Sequence, residues 1–158
     1  MAIVQEEAKP GEAGFDRDVR RHVYDRVINE GLPPSAAGTA AALGRPREDV
    51  RAAFRRLAEA HVLVLQEGGG EVLMAAPFSA VPTAFVVRSR ARKWYANCVW
   101  DALGIPAMLK CDARVEASCG CCGTAMRLSV RGGALVEAEG VAHFALPAAR
   151  WWDDVVFT

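Results

Sequence analysis

Apolar residues recur every fourth position in the first third of the chain. Val19, Val23 and Val27, with Ile28 beside them, form one stripe at i, i+4 and i+8, and Gly31-Leu32-Pro33-Pro34 ends it. This spacing predicts a first helix. Ser35 can cap a short second helix running to Ala42-Leu43, with Gly44 as its stop. Pro46 sits in the first turn of a third, where Glu48 and Asp49 suit the positive end of the helix dipole and Val50, Phe54 and Leu57 make the apolar face. The period then shortens to two. His61 to Leu65 and Glu71 to Met74 read as strands about the Gly68-Gly69-Gly70 turn. Three helices followed by a hairpin is the element order of a winged helix.

A linker is expected from Pro77 to Pro82, followed by a strand at Thr83 to Val87. Arg88 to Lys93 should then lead into a helix from Trp94 to Pro106, stopped by Gly104 and Pro106. Short alternating runs follow at Ala113 to Ala117, Ala125 to Val130, Leu135 to Ala138 and Val141 to Leu146. Cys119 to Gly123 and Arg131-Gly132-Gly133 supply turns. The expected class is α+β: an N-terminal winged-helix-like three-helix domain with a β-hairpin, then a helix packed on a small, mainly antiparallel sheet. The divisions are a loose leader at 1–14, the winged-helix-like domain at 15–80 and an α+β domain at 81–158.

Composition narrows the classes. Hydrophobic residues make up 52% and charged residues 24% of 158, which is globular, and the formal net charge is zero. Residues 1–90 carry as many acidic as basic side chains, so the arginines of the third helix (Arg45, Arg47, Arg51, Arg55, Arg56) make no basic surplus of the kind a DNA backbone attracts. No apolar run reaches the roughly 20 residues of a membrane span. The acidic N-terminus does not read as an export signal. Five cysteines without one fit a cytoplasmic protein whose thiols stay reduced.

On the helix expected at 94–106, Trp94, Cys98 and Asp101 fall at i, i+4 and i+7 and share a face. A carboxylate is costly on a packing surface unless it is paired. Beside a thiol and an indole it suits a site that needs a soft ligand next to a proton carrier. The knuckle-like turn Cys119-Gly120-Cys121-Cys122-Gly123 is open to three readings: a structural zinc, an auxiliary soft-metal site, or plain turn thiols. A tetrahedral zinc wants four ligands, and Cys98, Cys111 and His143 are the other candidates. The bland readings put Cys111 in packing, His143 in a sheet, and Trp151 and Trp152 in the core rather than at a pocket mouth.

The run Asn97-Cys98-Val99-Trp100-Asp101-Ala102-Leu103-Gly104-Ile105-Pro106-Ala107-Met108-Leu109 resembles the organomercurial (alkylmercury) lyases, whose signature is Cys-x-x-Asp on a helix running into a Pro-Ala segment. The order of elements, and Ala113-Arg114-Val115 leading to Cys119, extends the resemblance from about Val19 to the end. It implies protonolysis of carbon–mercury bonds, giving Hg(II) and a hydrocarbon. Cys98 would be the thiolate ligand and Asp101 the proton carrier, so both are the expected mercury-binding residues. Cys119, Cys121 and Cys122 rank behind them, the first having a structural role in the family.

The resemblance further implies a second reactive cysteine shortly after a segment like Arg150 to Thr158, so the 81–158 domain is expected to be C-terminally incomplete. No resident cofactor is implied; Hg(II) is the bound product and cellular thiols release it. The expected partners are a small organomercurial and a thiol-containing mercury reductase that receives the metal, with neither DNA nor membrane. The competing readings are a non-catalytic thiol-rich binder of Hg, Cu or Zn, and a metal-responsive winged-helix regulator.

Overall fold

The valine stripe divides its work between two cores. In a computed structural model describing residues 10–90, 92–138, 140–144, 146–153 and 155, helix α1 spans Pro10–Glu30. Val19 and Val23 pack with Val50, Phe54, Leu57 and Leu63. Val27, two turns on, packs instead with Phe78, Val87, Trp94, Ile105 and Val115. Pro10 to Gly14 therefore belong to α1 and not to a loose leader, while residues 1–9 lie outside the described residues.

Helices α2 (Ala36–Leu43) and α3 (Arg47–Glu59) follow as the pattern predicts. Ser35 Oγ accepts the Gly38 amide at 3.0 Å, and Gly44 closes α2 in the left-handed region at φ +62°. Among the described residues the strands are β1 (Val64–Leu65), β2 (Val72–Ala75), β3 (Phe78–Ser79), β4 (Phe85–Ser89), β5 (Arg92–Ala96), β6 (Ala113–Ser118), β7 (Ala125–Arg131) and β8 (Ala134–Glu137). They form one antiparallel sheet in the order β1-β2-β3-β5-β4-β6-β7-β8.

The sheet overturns the linker expected at Pro77 to Pro82. Phe78 and Ser79 are buried in β3, which pairs β2 on one side and β5 on the other, so the N-terminal hairpin is continuous with the rest of the sheet. A phenylalanine buried on both flanks by strands outweighs the punctuating prolines.

The expected helix at 94–106 is corrected as well. In place of a lead into a helix, Arg90 takes φ +52° after β4, and Trp94 lies on β5 opposite Val87. Trp94 is 3% exposed, and its indole N–H donates to the carbonyls of Val27 (3.0 Å) and Ile28 (3.2 Å) near the end of α1. Burial of an indole with its donor satisfied outweighs helical periodicity here. Helix α4 starts later and runs further, from Val99 to Leu109, with Cys98 as its N-cap and Lys110 as its left-handed C-cap. Gly104 and Pro106 lie inside it. Pro106 is buried with Ala102 and Ile105 where α4 packs on β4, β5 and β6, and that packing offsets the backbone hydrogen bond a proline removes. The strand expected at Val141 to Leu146 does not form among its described residues; Ala145 lies outside them. A 3-10 turn, Ala148–Asp153, follows. No described helix is long and apolar enough to cross a membrane.

Candidate active site

Cys98 and Asp101 meet at the start of α4. Cys98 is in the extended conformation that lets an N-cap side chain fold back over the first turn, and its Sγ accepts the Asp101 amide at 3.5 Å. Asp101 is thus held one turn from the sulfur. Its carboxylate accepts from Asn97 Nδ2 at 2.9 Å and hydrogen-bonds the Cys98 thiol.

These groups open into a cavity of about 160 Å³. Val62, Val64, Met74 and Ala76 form the wall contributed by the N-terminal hairpin. Trp100 stands beside Cys98 and Asp101, and Phe144, Trp151, Trp152 and Val155 contribute from the C-terminal segment. Trp152 stacks on His61 with ring centroids 4.0 Å apart and planes 9° from parallel. Trp151 packs against Phe144 at 5.0 Å and anchors its N–H on the Leu146 carbonyl at 3.0 Å. The two tryptophans therefore line the cavity; the core reading does not hold for them.

The lining sets the protonation of the pair. Burial raises the Asp101 carboxyl above the usual carboxylate range, against the opposing hydrogen bonds from Asn97 and Cys98. Burial likewise raises the Cys98 thiol, helped by the nearby Asp101 charge and opposed by the backbone N–H of Asp101. The helix N-terminus favours a thiolate at Cys98, but desolvation outweighs it. Burial thus favours the neutral form of each group, and a hydrogen bond joins the two. Trp94, expected on the same face, plays no direct part: it sits in the sheet core and does not line the cavity. The apolar setting comes from the hairpin and the C-terminal aromatics instead.

The remaining candidates separate. Cys119, Cys121 and Cys122 converge on the turn between β6 and β7, and none of them lines the cavity. Cys111 follows the C-cap of α4, half-buried and also away from the cavity. His143 is exposed and outside any strand, which overturns its reading as a sheet histidine. Of the arginines expected on the third helix, Arg45 lies just before α3 and pairs with Asp49, while Arg47 pairs with Glu71 and Arg56 with Asp16.

Sequence reasoning missed Asn97 as a partner of Asp101. The signal was a polar side chain four residues before the carboxylate, hidden because Asn97 precedes the helix. It also missed the hairpin wall, for which no local signal exists.

Fold and site together define a mixed helical and antiparallel-sheet protein that presents a thiol and a carboxyl group in one apolar recess. Residues 78–158 match the family model described as alkylmercury lyase. The chain belongs to the alkylmercury lyase family. Its fold is similar to that in the crystal structure of the mercury-bound form of MerB2, with a TM-score of 0.60 and 18% identity, over 82% of this chain and 68% of that one. No curated protein matches it.

Proposed function

We propose that this protein cleaves carbon–mercury bonds by protonolysis, with Cys98 as the sulfur ligand and Asp101 as the proton carrier. The observation that carries the reading is the thiol–carboxyl pair at the N-terminus of α4, facing an apolar cavity. Mercury is a soft cation and prefers sulfur to oxygen or nitrogen donors. An alkyl or aryl mercurial would enter with its organic group against Val62, Val64, Met74 and the aromatic wall.

As the Cys98 sulfur bonds to mercury, its proton passes to the Asp101 carboxylate. Burial favours the resulting neutral acid. Sulfur donation makes the mercury-bound carbon more basic. Asp101 then returns the proton to that carbon, the carbon–mercury electron pair becomes the new C–H bond, and the hydrocarbon leaves. Hg(II) remains on Cys98. Among the described residues Cys98 is the thiol that lines the cavity, and thiols from solution would carry the metal away. Asn97, by holding Asp101, fixes the direction of transfer.

The test is benzene release from phenylmercury by the full chain in the presence of excess thiol. Steady release, abolished in Cys98→Ser, is the expected result. A folded protein that binds phenylmercury and liberates no benzene at any thiol concentration would overturn the proposal.

A further inference from the structure

Strands β6 and β7 are joined by an exposed turn bearing three thiols that the cavity does not use. The Cys119 amide donates to the Thr124 carbonyl and the Gly123 amide to the Cys119 carbonyl, both at 2.9 Å, and Gly123 takes φ +71°. These bonds fold the turn back on itself. Cys119 Sγ lies 3.5 Å from Cys121 Sγ, and all three sulfurs lie within 4.8 Å of one another.

We propose that the Cys119–Cys122 turn is a second metal site, independent of the cavity, that takes one thiophilic d10 cation of the Cu(I) or Hg(II) kind on three sulfurs. Metal–sulfur bonds of about 2.3 Å in a trigonal plane set the sulfurs about 4.0 Å apart, and the observed cluster brackets that separation. Among the described residues no fourth Cys, His, Asp or Glu joins the group. Three sulfur donors fit a soft three-coordinate ion better than zinc, which takes four ligands.

The backbone supplies the second argument. The N–H groups of Cys121 and Cys122 hydrogen-bond the Cys119 sulfur. Amides aimed at a sulfur are what a knuckle provides for a bound thiolate. Packing does not explain these thiols either, since Cys121 and Cys122 are exposed and Cys119 only half-covered. Binding changes no oxidation state: the cation replaces the protons still held by the thiols, and these pass to solvent. The proposal stands whether or not the cavity cleaves mercurials.

The experiment uses the full chain as Cys98→Ser, which removes the cavity thiol. It is titrated anaerobically with Cu(I) against a chromogenic Cu(I) chelator, and separately with Hg(II). One tightly held equivalent is expected in at least one arm, with three sulfurs around the metal in X-ray absorption. Adding Cys119→Ser, Cys121→Ser or Cys122→Ser should each weaken binding at least tenfold, whereas Cys111→Ser should not. Bound metal should also protect Cys119, Cys121 and Cys122 from alkylation, read by mass spectrometry, which keeps the test open if one variant folds poorly. Retention of neither metal, an affinity indifferent to the Cys121 and Cys122 changes, or a four-ligand zinc that displaces Cu(I) would each overturn the assignment.

Discussion

Replacing Asp101 with asparagine separates proton transfer from packing. Asparagine has nearly the same shape, and its carbonyl oxygen can still accept from Asn97 Nδ2, now 2.9 Å from the carboxylate. What is lost is the capacity to take the Cys98 proton and return it. A positioned acid–base group contributes about 10²- to 10⁴-fold, or about 3 to 5 kcal/mol of barrier. The structure puts this site toward the lower end. Cys98 and Asp101 are only half-buried and Trp100 beside them is 64% exposed, so buffer acids can partly stand in for the missing carboxyl. A loss of about 10² to 10³ in single-turnover hydrocarbon release is therefore expected, with Hg(II) retention at Cys98 unchanged within a few-fold.

The same variant carries a stability prediction of defined sign. Asp101 is raised in the folded state, so the fold prefers its neutral form. The stability tied to that preference is complete below the ordinary carboxylate range and is lost as pH rises through the raised value. Asparagine does not ionise and is spared the loss. The melting temperature of Asp101→Asn should thus exceed that of the parent at neutral pH, the gap closing at acid pH. Single-turnover rates within tenfold of the parent, measured on a variant that still binds mercury, would refute the assignment of Asp101 as proton carrier.

Three other perturbations test neighbouring parts of the argument. Asn97→Ala removes a hydrogen bond that lowers the Asp101 carboxyl, so the acid limb of the rate–pH profile should move to higher pH; an unmoved limb would detach Asn97 from Asp101. Trp152→Ala removes the stack on His61, and an aromatic pair is worth about 0.5 to 1.5 kcal/mol, so KM for phenylmercury should rise about two- to tenfold, and less for methylmercury. Gly31→Ala should destabilise the fold by at least about 1 kcal/mol in urea unfolding, because Gly31 sits at φ +87° and a Cβ there would lie 2.8 Å from the Lys93 carbonyl oxygen.

Local patterns carried much of the architecture. Ser35 and Gly44 bound α2 as their chemistry requires, and the alternation at Ala113 to Ala117 and Ala125 to Val130 became β6 and β7. Cys98 and Asp101 were legible as a pair because three residues of spacing bring two side chains together both within a helix and across its N-cap. Trp94 was not, because the run from Trp94 to Leu103 holds no breaker, and what makes the first part a strand is nonlocal. Val87 pairs with it across the sheet, and the end of α1 accepts its N–H. Cross-strand pairing and a docked helix end leave no trace in the periodicity of the segment itself.

The same nonlocality explains how the pair acquires its chemistry. Cys98 and Asp101 are neighbours in sequence, yet the desolvation that raises both comes from segments far from them. Val62 and Val64 arrive from the hairpin, while Trp151 and Trp152 arrive from the 3-10 turn. Continuity of the sheet through β3 holds the hairpin against β5, and β5 leads directly into Asn97 and Cys98. Trp94, though absent from the cavity, therefore acts on it at one remove: its N–H ties α1 to β5, and β5 sets where Cys98 begins α4. The thiol–carboxyl pair is written locally, and its acidity is written by the fold.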